Sequence, residues 1–104
     1  MLIQQGDILV KSISEIPLNV KKITPSKRGY ILAEGESTGH AHVIVDTNNV
    51  EMFISDEQTY LKVLNEIAVT HEEHKTITVE PGIYTIGKVL EYDHFLEEAR
   101  KVQD

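Results

Sequence analysis

Apolar and polar residues alternate along most of this chain with a period of two, the spacing of strands that bury one face. His40 to Asp46 alternates most clearly: Ala41, Val43 and Val45 fall on one face, His40, His42 and Ile44 on the other. Val50 to Ser55 reads as the returning strand beyond Asp46-Thr47-Asn48-Asn49, a turn because Asn and Asp tolerate left-handed backbone and bond their own main chain. Further strands are predicted over Asp7 to Ile13 after a turn at Gly6, Leu18 to Ile23, Tyr30 to Glu34 and Thr59 to Leu64. Glu66 to His71, Lys75 to Glu80 and Ile83 to Leu90 complete the series, the last one beyond Pro81-Gly82. There Pro pre-sets φ at one turn position and Gly accepts a positive φ at the next. About nine short strands, with turns roughly every 8–12 residues, predict an all-β fold, a small antiparallel barrel or sandwich. The period then changes: Phe95, Leu96, Ala99 and Val102 share one helical face behind the N-cap Asp93. A C-terminal α-helix is therefore predicted over 93–102, closing an end of the barrel or docking on a neighbour. Without repeats or linkers, 1–104 reads as a single domain whose β-rich part is 2–92.

Composition narrows the class. A chain of 104 residues buries roughly 65% of its unfolded surface, enough for one core. Apolar residues at 40% and charged residues at 26% are the balance of a globular protein. No apolar run approaches the roughly 18–20 residues of a membrane span. Met1 to Asp7 has neither the basic nor the apolar region of a secretory signal, which leads to an expected cytoplasmic location. The absence of cysteine excludes disulfides, a thiol nucleophile, Cys-based zinc fingers and iron–sulfur clusters. Seventeen acidic against ten basic residues, net −7, argue against general nucleic-acid binding. Lys21, Lys22, Lys27 and Arg28 lie in an acid-free stretch, 16–33, read as a solvated loop and an edge strand blunted by lysine. This polarised charge, with exposed strand edges, makes a homo-oligomer a candidate state.

The candidate chemistry is in the histidines. Four of five form two tight pairs, His40-Ala41-His42 and His71-Glu72-Glu73-His74. Residues i and i+2 of a strand project to one face, so His40 and His42 present their imidazoles side by side, as a chelating pair does. His71 and His74 can face the same way across a hairpin turn at Glu72-Glu73, although Glu-Glu suits a longer loop better than a two-residue turn. If both pairs reach one cavity, His40, His42, His71 and His74 are the ligands of a divalent transition metal, with Glu36, Asp46, Glu72 and Glu73 nearby. Imidazole-rich sites suit Zn, Ni, Fe or Cu. Whether such a metal does chemistry is left open; Glu36 and Glu72 are the candidates for a general base. The spacing is one residue short of His-Glu-x-x-His, so the zinc-protease helix is not supported. No Gly-x-Ser-x-Gly and no phosphate-cradling Gly-Lys-Ser/Thr is present. Neither an organic cofactor nor a membrane partner is expected.

Gly35-Glu36-Ser37-Thr38-Gly39-His40-Ala41-His42 is similar to the first cupin motif, but the match stops there. Asp46 stands near the place of the acidic ligand, and His71 and His74 precede Pro81-Gly82 when a second-motif histidine should follow such a turn. A broader resemblance rests on four strings in order: Glu34 to His42, Thr70 to Lys75, Ile77 to Tyr84 and Glu91-Tyr92-Asp93. Together they resemble an uncharacterised family of small bacterial and phage proteins with Gly-Glu-x-Thr-Gly-His-x-His, His-Glu-Glu-His, Pro-Gly-x-Tyr and Arg-Glu-Tyr. Leu90 stands where that family often has Arg, so a role for that arginine does not carry over. The resemblance implies one short β-rich domain, phage-related in some members, and names no substrate. Two expectations follow: a small metal-binding β-domain, or a non-enzymatic interaction or structural protein whose histidines serve packing and hydrogen bonding.

Overall fold

The computed structural model describes residues 1–34, 39–56 and 58–89. These form an all-β fold of ten strands. A six-stranded antiparallel sheet is built from β1 (Leu2–Gln5), β2 (Ile8–Ser12), β3 (Lys21–Ile23), β6 (Val50–Ser55), β7 (Gln58–Val63) and β10 (Gly82–Lys88), in the order β1-β2-β10-β7-β6-β3. β4 (Tyr30–Glu34) pairs with β5 (Ala41–Ile44), and β8 (Ile67–Val69) pairs with β9 (Ile77–Val79). The two hairpins are joined where Val43 and Thr70 exchange backbone hydrogen bonds of 2.9 Å each.

Alternation places one core between these layers. Ile8 and Val10, Val50 and Met52, Leu61 and Val63, and Tyr84 and Ile86 are buried along the large sheet. Their register makes Val50↔Val63, Met52↔Leu61, Tyr84↔Leu61 and Ile86↔Val10 direct cross-strand neighbours. Tyr30, Leu32, Ile44, Ile67, Val69 and Val79 from the two hairpins join the same cluster. Each large aliphatic side chain so buried contributes about 1.5–3 kcal/mol.

Several expectations change. β4 and β6 have the predicted bounds, but the sheet does not close into a barrel among the described residues: β1 and β3 are its two edges. The run Leu18 to Ile23 is strand only at Lys21–Ile23, and Leu18 stands fully in solvent, because Pro17 just before the run and Asn19 within it are poor in strand propensity. The edge position of β3 agrees with its lysines. β1 was not predicted. No tight hairpin joins His71 to His74; the β8–β9 register pairs Val69 with Ile77, so both histidines lie in the long connecting loop. The predicted helix 93–102, with His94, lies outside the described residues, as do Glu36 and the Gly35–Thr38 segment. No helix among the described residues is long and apolar enough to cross a membrane.

Candidate functional site

β5 carries His42 inward on the same parity as Ile44, and both are buried, His42 at 1% exposure. A buried imidazole needs partners for its ring nitrogens, and the β1–β2 hairpin supplies them. Gln5 lies directly opposite Ile8, on the core face of β1, and is itself buried. Its amide nitrogen donates to Val69 O and Lys75 O, both at 2.9 Å. These two carbonyls fix the orientation of the amide, so its oxygen faces His42 Nδ1 at 2.8 Å. On the other side of the ring, His42 Nε2 lies 3.1 Å from Asp7 Oδ1. Lys88 Nζ is 3.6 Å from the second Asp7 oxygen.

The loop after β8 adds two more imidazoles. Ring centroids are 4.4 Å apart for His42 and His71, 4.6 Å for His71 and His74, and 6.0 Å for the near-parallel His42 and His74. His40 reaches the cluster edge-on, 6.0 Å from His71. Its Nδ1 is 3.3 Å from Glu73 Oε2, outside hydrogen-bond geometry, and this buried nitrogen has no hydrogen-bond partner among the described residues. Glu73 N–H donates to His71 Nδ1 at 3.0 Å. All four sequence-predicted histidines thus come together. Among the described residues, however, no three His, Asp or Glu side chains already direct their donor atoms at one metal position.

Glu72 takes another role than the expected general base. Its carboxylate accepts the Ala41 N–H at 2.9 Å and pairs with Arg28 Nη2 at 3.2 Å. The Ala41 N–H above all holds its carboxyl below the usual range. A carboxylate so engaged is a poor proton acceptor and a good clamp. Arg28 Nη2 also donates to Gly39 O at 2.9 Å, tying the start of β5 to the histidine loop. Beside this clamp opens a groove of about 430 Å³ with Arg28, Val43, Thr70, His71 and Glu72 among its walls. Burial lowers the pKa of His42, and the neighbouring His71 and His74 push the same way, outweighing the hydrogen bond toward Asp7.

The sequence does not single out Gln5 or Asp7 as site residues, and Arg28, read as part of a solvated loop, instead reaches the site through Glu72. The available signal was an amide at an inward parity, Ile3 then Gln5, just before a glycine turn. Gly6 occupies that turn with φ +57°, and His74 Nε2 lies 2.5 Å from where its Cβ would stand. Gly6→Ala is expected to cost about 1–2 kcal/mol from left-handed strain and to turn the His74 ring out of the cluster. Urea unfolding reads the first effect, and loss of nuclear Overhauser contacts between His74 and His42 reads the second.

These features define a class: an all-β domain that gathers imidazoles from a strand and a loop around a buried chain of amide, imidazole and carboxylate. A family described as a domain of unknown function, DUF8820, matches residues 4–88, a span that holds Gln5, Asp7, the four clustered histidines and Lys88. The chain belongs to that family. No curated protein and no solved structure matches it.

Proposed function

We propose that this domain binds a divalent transition metal at the histidine cluster, with His42, His71 and His74 as the central imidazoles and His40 at its margin. One observation carries the reading: side chains from β5, from His40 just before it and from the β8–β9 loop bring four imidazoles into a connected cluster with centroid spacings of 4.4–6.0 Å. Burial, with His71 and His74 beside it, favours the neutral ring at His42, and neutral imidazole is the metal-binding form. Loading requires His71 to exchange its bond from Glu73 N–H for the metal, and the exposed His74 to turn toward it. Zn, Ni, Fe and Cu are the candidates for an imidazole-rich set. Untagged purified protein should carry about one such metal per chain by elemental analysis. Metal-free protein should regain thermal stability on adding zinc, by about 2.7 kcal/mol at a hundredfold excess over Kd. His42→Gln/His74→Gln should abolish that gain. Metal-free protein giving no heat with Zn, Ni or Co excludes the reading.

A second reading keeps the histidines structural, in a non-enzymatic interaction protein of the phage-related kind. The bond from Glu73 N–H to His71 Nδ1 favours it, because it already uses one imidazole to shape the loop. A stability loss in the double variant that chelator does not alter is its expected signature.

A further inference from the structure

We propose that the outer edge of β1 is an interface between two copies of this chain, paired β1 against β1 in antiparallel register about a twofold axis at Ile3. The large sheet then runs on from one copy into the other. This is independent of the histidine cluster and starts from hydrogen-bond parity. Along an antiparallel strand, successive residues bond alternately to the neighbour on one side and to the neighbour on the other. Ser12 N–H donates to Met1 O at 2.9 Å and Ile13 N–H to Ile83 O at 3.0 Å, so even-numbered residues of β2 bond toward β1 and odd-numbered ones toward β10. In the observed register these even partners are Ile3↔Val10 and Gln5↔Ile8. The backbone N–H and C=O groups of Leu2 and Gln4 therefore point away from β2. No strand among the described residues takes them, because β1 ends the sheet.

The two edges of the sheet differ in chemistry. Strand edges are ordinarily guarded against pairing by lysine, proline or a bulge, and β3 carries the exposed Lys21 and Lys22. β1, Leu-Ile-Gln-Gln, has no charge and no proline, and its ladder with β2 has no bulge. An uncharged edge suits a second copy in particular. The chain carries a net charge of −7, so two copies repel over much of their surface, but β1 against β1 brings no like charges together. The register is also self-complementary. With Ile3 on the axis, Leu2 of each copy faces Gln4 of the other, and the outward N–H groups of both copies donate to the outward carbonyls. The axis sets Ile3 beside its own copy at the close, non-hydrogen-bonded spacing of about 4.5 Å between Cα atoms. Ile3 is only partly buried against the core of a single copy; pairing makes one apolar row of Val10, Ile3, Ile3 and Val10. Met1 and Leu2, each 56% exposed, lie along the same seam. Two strands of four residues form a smaller contact than the roughly 1,200–2,000 Å² of stable complexes, so the pairing is transient and concentration-dependent.

The test is sedimentation equilibrium of the untagged chain with chelator present, so that no metal bridges two copies, together with amide hydrogen exchange by NMR. Mass should rise from one chain at about 10 μM toward two at about 1 mM, a Kd on the order of 100 μM. Over the same range the Leu2 and Gln4 amides should gain protection, and those of β3 should not. Leu2→Pro removes an N–H that β2 does not use, which an edge strand tolerates, and should weaken the dimer at least about tenfold. Leu2→Lys keeps every backbone group but guards the edge, and should weaken it too. Leu18→Lys, at the fully exposed Leu18, should leave it unchanged, which separates the seam from general apolar adhesion. A chain that stays monomeric at about 1 mM overturns the proposal. So does a dimer that both Leu2 variants leave intact, or one that protects the β3 amides instead. Leu2 and Gln4 amides protected equally at all concentrations would place another segment on this edge and overturn it as well.

Discussion

Gly29→Ala is expected to lower the stability of this domain by about 3–5 kcal/mol, from backbone strain and overpacking acting together. Gly29 has φ +116°, a conformation essentially reserved for glycine. A Cβ there would stand 2.3 Å from Ile44 O and 3.1 Å from Val45 Cα. Both are main-chain atoms, at the end of β5 and one residue beyond it, and main chain cannot swing aside as the end of a side chain can. Relief means moving β5 away from β4, but Ile44 is wholly buried and pairs with Tyr30. The same turn aims Arg28: Ser26 and Gly29 exchange backbone hydrogen bonds of 3.0 and 3.1 Å, and Arg28 N–H donates to Ser26 Oγ at 3.2 Å. Disturbing it should also loosen the Arg28–Glu72 clamp. Gly39→Ala is the control. Its φ is +82°, but no atom of the described residues lies within 4 Å of the added carbon, so the strain of about 1–2 kcal/mol is the expected cost. Urea midpoints of the two variants, at unchanged m, should differ accordingly. Equal midpoints would show that the Ile44 contact yields more easily than main chain should.

The period-two pattern located most strands because each has one face on the core. It located β4 and β6 to the residue, since both begin and end at turn-forming sequence. It missed β1 for a physical reason. Ile3 packs against the core and Gln5 is buried beyond it, so a polar residue occupies a core parity and cancels the alternation. The residue that hid the strand is also the one that anchors the site. The histidines were legible as pairs, because i and i+2 on a strand share a face. Their convergence with the loop pair was not, since it depends on the Val43–Thr70 link, a single bridge no local pattern encodes. Glu72 looked like a base beside two histidines. Its pairing with Arg28 joins positions distant in sequence, and only the fold turns that carboxylate into a clamp. Barrel closure failed for a similar reason: strand count and length are local, whereas the edges at β1 and β3 are set by which hairpins pair.

His42→Leu is expected to cost about 2–3 kcal/mol at a pH near 7.5. Leucine fills comparable space, so the dominant loss is the donor to Gln5 Oε1, and an orphaned buried acceptor costs roughly 1–3 kcal/mol. The amide cannot rotate to recover, because its nitrogen is held by Val69 O and Lys75 O. The pH dependence of this loss is itself diagnostic. Burial, first among the causes, places the His42 pKa in the folded protein below its ordinary 6.5. As pH falls below about 6.5, the unfolded chain takes up this proton before the folded one, so folding loses the stability that the neutral ring contributed. That contribution is fully present above the unfolded value and is lost as pH falls through the folded one. The stability gap between wild type and His42→Leu should therefore be widest above about pH 6.5 and narrow below it. Paired urea titrations across that range measure the difference directly, with most of the titration of the other histidines cancelling between the two proteins. A gap that widened on acidification would mean that the folded state holds a charged His42 against Asp7.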